Sequence, residues 1–289
     1  MKALRIHTLF TVLLLAAGCV NAQPAAVVEG VQMPAWVERS GNRMPVLPGM
    51  ELKPGDKLVT GAGSRLAVKL SEGSLVKLGE NGSLQLKELE PSKNLFKAAL
   101  GVLEGAFRFT TDLAAKKRRR DVSITVATVT AGIRGTDLWG KSDKADKQIV
   151  CLIEGKIEVG APGEAAVTMD QPRQFYRREQ GTTAPVGFVE ETQLVEWARE
   201  TEIEKGKGAA RRGGKWRVQL VSAESQNAAL DVYDQVRKAG YGAQILPAMA
   251  GEKRIYVVSI RGLPSKAEAQ ALADQLKGKF GLTDPKVVS

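Results

Sequence analysis

Over residues 46 to about 176, apolar side chains recur at every second position in short runs that are broken by Gly, Asn and Ser. Leu66, Val68 and Leu70 alternate with Arg65, Ala67 and Lys69, Val76 and Leu78 follow Glu72-Gly73-Ser74, and Leu84, Leu86 and Leu89 follow Glu80-Asn81-Gly82. A period of two marks strands with one buried face. Asn-Gly is a strong hairpin signal, so the spacing predicts an all-β sandwich or roll. Further strands are expected over 99–104, 106–110, 123–128, 149–154 and 156–159, with Gly105 and Gly155 closing two hairpins and Trp139 packing as a lid on the sandwich.

The period changes after Pro185. Residues 188–205 are rich in Glu and carry Leu194, Val195, Trp197, Ala198 and Ile203, the pattern of an amphipathic helix that packs on the β region or on a partner helix. Residues 206–214, with Arg211 and Arg212, read as a flexible basic linker. From Lys215 onward the order is strand (216–220), helix (227–239, stopped by Gly240), strands (242–249 and 254–261), a second helix and a short strand (286–288). The second helix opens on a capping box, Ser265 with Glu268 three residues on. This is an α+β, split-βαβ, ferredoxin-like order, which places both helices on one sheet face and leaves the other open. Tyr256, Val258 and Ile260 are assigned to the core, and Arg217, Gln219, Val257, Ser259 and Arg261 to the open face. A mixed amide, hydroxyl and cationic face suits an extended polar polymer better than a small buried ligand.

Two domains are therefore expected within five segments: a signal peptide at 1–22, an irregular lead with Pro24, Pro34 and Pro45 at 23–45, the β domain at 46–180, the helix and linker at 181–214, and the C-terminal domain at 215–289. Lys2 and Arg5 precede an apolar run over 9–18 that is too short for a permanent membrane helix and is followed by small residues. Two processing routes stay open, cleavage after Val20-Asn21-Ala22, or lipidation of Cys19 at the lipobox-like Ala16-Ala17-Gly18-Cys19. Either route leads to the periplasm.

The formal charge is +10, and Lys116 to Arg120 is a run of five cations. Export removes nucleic acid as the partner and leaves a solvated loop, or attraction to anionic wall polymers or headgroups. The single histidine, His7, lies in the signal, and no cluster of Cys or His has metal-ligand spacing. No cofactor, metal or catalytic residue is expected. Asp56 is assigned to fixing a turn, and Cys151, among Ile149, Val150, Leu152 and Ile153, to burial as a small apolar side chain. Arg134, between Gly132-Ile133 and Gly135-Thr136, either brackets a turn or presents its planar donors to a partner.

Three motifs in the β region resemble the FecR-type periplasmic domain: Thr128-Val129-Thr130-Ala131-Gly132-Ile133-Arg134-Gly135-Thr136-Asp137, Pro54-Gly55-Asp56-Lys57-Leu58-Val59-Thr60-Gly61, and Leu152-Ile153-Glu154-Gly155-Lys156-Ile157-Glu158-Val159. The resemblance implies a sensory or ligand-binding module, with Arg134 and Asp137 as partner-binding candidates for an unidentified envelope protein or ligand. The best-known members act through a membrane-spanning anti-sigma segment, and direct sigma-factor control is not expected here.

At the other end, Arg217-Val218-Gln219-Leu220 with Ser222, and Tyr256 to Gly262 followed by Ser265, Glu268 and Ala269, resemble the sporulation-related repeat (SPOR) domain. Val221 and Ala223 stand where that family usually has a glycine and an aromatic. The resemblance implies binding to glycan strands of peptidoglycan, notably those stripped of stem peptides at division sites, with Arg217, Gln219, Ser222, Val257, Ser259 and Arg261 as contacts. The expectation is a non-enzymatic periplasmic protein whose SPOR domain targets a FecR-like domain to the wall. Its membrane contact would be limited to a lipid at Cys19. The alternatives are an envelope signalling adaptor and, further off, a wall hydrolase, which would need a carboxylate pair, an activated nucleophile or a metal set.

Overall fold

The structure is a computed structural model and describes residues 24–92, 94–111, 119–133, 135–143 and 146–289. The signal segment with Cys19, the cations at 116–118 and Arg134 lie outside the described residues.

The first part is built from β1 (Ala26–Gln32), β2 (Ala35–Arg39), β3 (Asn42–Pro45), β4 (Glu51–Leu52), β5 (Lys57–Thr60), β6 (Arg65–Leu70), β7 (Leu75–Leu78), β8 (Ser83–Pro91) and β9 (Leu95–Thr110). It continues through β10 (Arg119–Val126), β11 (Val129–Ile133), β12 (Asp137–Ser142), β13 (Lys147–Glu154), β14 (Ile157–Gly160), β15 (Val167–Met169), β16 (Gln174–Glu179), β17 (Thr182–Thr183) and β18 (Gly187–Phe188). One sheet runs β1-β6-β7-β9-β12-β13-β16. The other runs β3-β2-β5-β8-β9-β10-β11-β14-β15. Their facing side chains, among them Val28, Leu66 and Leu152 from the first and Leu58, Leu84 and Ile124 from the second, form one apolar core. The sandwich expected from the alternation is therefore present.

The turns differ from the expectation in an instructive way. β9 is a single strand of 16 residues that belongs to both sheets, so Gly105 closes no hairpin. Buried parity flips across it: Phe96, Ala98, Leu100 and Val102 precede it, and Phe107 and Phe109 follow. Gly105 has φ +87°, and a Cβ on it would lie 2.6 Å from Cα of Gly82. Asn81-Gly82 is likewise a corner and no hairpin, because β7 pairs in one sheet and β8 in the other. Thr60 Oγ1 holds that corner, donating to the Gly79 carbonyl at 2.6 Å and accepting from the Gly82 N–H at 2.8 Å. Gly155 repeats the device between β13 and β14, which do not pair with each other, and a Cβ there would lie 2.6 Å from the Gly135 carbonyl oxygen. A chain leaving one sheet for the other must bend sharply where two backbones touch, and glycine alone fits. The sequence signal for a tight turn is the same as for a hairpin.

Residues 24–45, expected to be irregular, instead form β1 to β3, and Ala26, Val28, Val31, Ala35 and Val37 are fully buried. Pro34 and Pro45 fall beside or at the end of strands, where a missing N–H is tolerated.

Helix α1 (Glu191–Arg199) is shorter than the pattern over 188–205 suggested and packs on the outer face of the first sheet. Trp197 stacks on Trp139 with centroids 4.7 Å apart and planes 8° from parallel, and Phe175 meets Trp197 edge-on. Trp139 is thus fully buried beneath α1, outside the sandwich core. Cys151 lies in the same cluster, where burial pushes its thiol up to about 12.

The last part comprises β19 (Ala210–Arg211), β20 (Trp216–Ala223), α2 (Gln226–Lys238), β21 (Ala243–Ala250), β22 (Lys253–Leu263), α3 (Lys266–Leu276) and β23 (Lys286–Val288). Its antiparallel sheet has the order β21-β22-β20-β23, the split-βαβ arrangement expected. Ser225 and Ser265 cap the two helices by accepting from Ala228 N and Glu268 N, both at 3.2 Å.

Residues 206–214 are not a free tether. β19 pairs with β1, and Arg212 N donates to the Glu29 carbonyl at 2.9 Å. The Glu268 carboxylate accepts from Gly206 N at 2.7 Å, Gly208 N at 2.8 Å and Ala209 N at 3.1 Å. Trp36 Nε1 donates to the Lys238 carbonyl at 3.2 Å, Ala35 N to that of Gly240 at 3.0 Å, and a Cβ on Gly240 would lie 2.6 Å from the Trp36 ring. Glycine and arginine content suggested flexibility, but donors that find a buried carboxylate and an open strand edge become ordered.

Candidate functional site

The two faces of the C-terminal sheet separate by strand alternation. Val218, Val258, Ile260 and Ala243 are buried with Ala229, Val236, Leu272 and Leu276 of the helices. The opposite face carries Arg217 and Gln219 on β20, Val257, Ser259 and Arg261 on β22, and their cross-strand partners. Gln219 lies opposite Ser259 on one side and Lys286 on the other, and Arg217 lies opposite Arg261 and Val288. Gln244 completes the Ser259 row, and Leu246, 43% exposed, pairs with Val257.

A register shift between Gln219 and Val221 returns Ser222 to this face, opposite Val257. Gln219 Nε2 then donates to Ser222 Oγ at 3.0 Å. An extra residue in one strand bends it and re-aims the following side chain. That shift brings the predicted set Arg217, Gln219, Ser222, Val257, Ser259 and Arg261 together across two neighbouring strands.

Exposure ranks them. Ser222 and Arg261 are exposed and Arg217, Gln219 and Val257 are half-buried, whereas Ser259 is recessed at 2%. The sequence reading missed Lys286 and Gln244 because β21 and β23 were placed without register, and register alone tells which parity of an edge strand joins the face.

The face is not covered by the first domain. The contacts between the parts involve the C-terminus of α2, the N-terminus of α3, Gly242 and the end of β22, all at one end of the sheet. Ser222 and Arg261 stay exposed on the open face, while Ser259 in its central row is recessed.

In the β domain, Asp137 opens β12 and is held by Arg108, whose Nε and Nη2 donate to its two oxygens at 2.9 and 2.7 Å, with Thr110 Oγ1 at 3.3 Å. The Asp137 carboxylate is the main reason the Arg108 guanidinium is held above its ordinary pKa. Glu202 joins the same arginine and also Lys77, tying the segment after α1 to the first sheet. A carboxylate so engaged serves the architecture before any partner. Asp56, 1% exposed, accepts a bidentate pair from Arg39 at 2.7 and 2.6 Å and the Lys53 N–H at 2.8 Å, the turn-fixing role expected of it with an added buried ion pair.

Comparison with known proteins matches two separate stretches of the chain. Residues 56–158 match the family model described as FecR protein, and residues 213–287 match that of the SPOR domain. The chain thus carries a FecR-like domain followed by a SPOR domain, an architecture of cell-envelope proteins, and both domains are non-catalytic binding modules. No curated protein matches the sequence. Two crystal structures of a proposed anti-sigma factor from Parabacteroides distasonis ATCC 8503 align with it. One is 12% identical, covers 69% of this chain and 98% of that one, and has a TM-score of 0.41; the other is 15% identical, covers 76% and 89%, and has a TM-score of 0.40. Likeness at that level carries no conclusion about function.

Proposed function

We propose that this FecR-like and SPOR chain is a periplasmic, non-enzymatic peptidoglycan-binding protein, in which the SPOR sheet grips glycan strands and holds the FecR-like domain at the wall, at division sites. One observation carries the reading. The segment that matches the SPOR model presents an uncovered sheet face of amide, hydroxyl and guanidinium groups, suited to an extended sugar polymer. Ser222, Gln219 and Arg261 are the contacts the exposure favours. In this reading the mature chain is released into the periplasm or anchored through a lipid at Cys19, and the FecR-like domain meets a second envelope ligand or protein, with Arg134 as the first residue to test.

The seating of the SPOR domain against the β domain favours a second reading, an envelope-sensing adaptor. β19 on β1 and the Glu268 clamp couple the wall-binding module to the β domain, so a strand held by one is mechanically felt by the other. The test uses the full mature chain pelleted with purified sacculi, before and after an amidase has removed the stem peptides. Co-sedimentation that strengthens on stripped sacculi is expected, and its absence there overturns the proposal. Release of labelled wall fragments would instead indicate a hydrolase. A tagged chain that fails to gather at the septum of dividing cells would remove the division-site assignment, and a wall-binding variant that leaves an envelope-stress reporter unchanged would remove the sensing one.

A further inference from the structure

The four strands of the C-terminal sheet contain no Asp or Glu, although the chain has 32 such residues, and they carry five cations: Arg217, Lys253, Arg254, Arg261 and Lys286. Three of these share one end of the open face. Arg217 on β20 stands directly opposite Arg261 on β22, and Lys286 on β23 stands opposite Gln219, two residues from Arg217. Residues directly opposite on neighbouring strands have Cβ atoms about 4.5–5.5 Å apart, and like charges so placed destabilise a sheet. Among the described residues, Arg217, Arg261 and Lys286 have no ion pair or side-chain hydrogen bond. In the first domain, by contrast, Arg39, Arg108, Lys97 and Lys141 each lie within 2.9 Å of a carboxylate.

An unneutralised, self-repelling row beside amide and hydroxyl groups is built for a polar ligand that brings its own negative charge. Resting on the wall-binding reading above, we propose that Arg217, Arg261 and Lys286 bind the lactyl carboxylate of the muramic acid residues in the glycan. That group is consumed as an amide while the stem peptide is attached and becomes a free carboxylate when the peptide is cut away. The sugar backbone is otherwise neutral, so once the peptide and its own ionised groups are gone this carboxylate is the charge that a stripped strand carries directly on its sugars. Two guanidinium groups flanking one carboxylate supply several charge-assisted hydrogen bonds, and the ammonium of Lys286 supplies a further point charge. Gln219 and Ser222 remain for the sugar amides and hydroxyls. Selection of stripped strands then follows from a carboxylate placed on the sugar itself, in addition to the room that loss of the peptide creates.

The experiment uses the full mature chain and three soluble probes: stripped glycan, the same glycan with its carboxylates converted to neutral methylamides, and glycan with its stem peptides intact. The expected result is that the wild-type chain binds the free carboxylate form about tenfold or more tightly than the methylamide, with the difference shrinking as salt is added. The triple variant Arg217→Gln, Arg261→Gln, Lys286→Gln should bind both stripped forms equally, and no more tightly than the wild-type chain binds the methylamide. Its circular dichroism should match wild type and its melting temperature should equal or exceed it, because the row makes no internal ion pair or side-chain hydrogen bond and its like charges repel. Equal wild-type binding to carboxylate and methylamide would overturn the carboxylate assignment and leave wall binding standing. A triple variant that keeps the preference would overturn the assignment to these three residues, and tighter binding to glycan with intact stems would overturn it as well. No binding to any probe would remove the assignment together with the wall-binding reading.

Discussion

Replacing Glu268 with alanine should detach the segment that joins the two domains while leaving each domain folded. The carboxylate is 9% exposed and accepts three backbone N–H groups, from Gly206, Gly208 and Ala209, at 2.7 to 3.1 Å. Hydrogen bonds to a charged group contribute about 1.5–3 kcal/mol each, and three that share one acceptor do not add in full, so the local loss is about 3–5 kcal/mol. The acidic side chain in the first turn of α3 also favours that helix by about 0.3–1 kcal/mol through its dipole. At about 1.4 kcal/mol per factor of ten, amide exchange at 206, 208 and 209 should quicken by roughly a hundredfold or more. The amides of Val218 and Val258, deep in the C-terminal sheet, should change far less. Glu268→Gln keeps one carbonyl oxygen and should fall between. The Ser265 cap is unaffected, since Ser265 Oγ accepts from the backbone of residue 268. Hydrogen exchange read by mass spectrometry, with scattering to follow domain separation, is the assay. Unchanged protection over 206–209 in the alanine variant would refute the clamp and leave the tether to β19 and to the contacts that Ala35, Trp36 and Met33 make with the end of α2 and Gly242.

Other outcomes test the β domain. Arg39→Met leaves Asp56 buried with only the Lys53 N–H, and after allowance for the partial exposure of Arg39 it should cost about 2–4 kcal/mol in urea unfolding; adding Asp56→Leu should recover part of it. Trp197→Ala should cost about 2–4 kcal/mol and abolish the near-ultraviolet dichroism of the Trp139 stack as α1 lifts from the sheet. Gly105→Ala forces a side chain into a left-handed corner against Gly82 and should lose about 2–4 kcal/mol in thermal unfolding. Cys151, with its thiol pushed up to about 12, stays protonated well past pH 8, so a thiol reagent at that pH should label it only after denaturant is added.

Much of the fold was legible because strand and helix periods are local. The alternation of Leu66, Val68 and Leu70 fixes a buried face whatever lies opposite, and Ser265 with Glu268 marks a helix start from four residues alone. The spacing of Leu84, Leu86 and Leu89 already broke parity, and the shift between Leu86 and Glu88 is the reason. The lead over 24–45 was missed because its prolines outweighed a weak alternation in Val28, Val31, Ala35 and Val37. Arg217, Gln219, Ser259 and Arg261 could be placed on one face from parity, since β20 and β22 are long enough to show it.

What the sequence by itself determined was the set of elements, the two modules with their motifs, and the side of each strand that seeks the core. Which strands pair was decided only by the tertiary structure. A residue at positive φ permits a hairpin and a sheet-crossing corner equally, and the choice at Asn81, Gly105 and Gly155 depends on backbones distant in sequence. The same holds for Glu268, whose carboxylate has a local role in its own helix and a stronger one toward donors some 60 positions away. It holds also for Lys286, which joins Arg217 and Arg261 only because β23 returns beside β20 in one register. Local sequence encodes what a residue prefers, and a charged or hydrogen-bonding group takes its partner from wherever the folded chain brings one within reach.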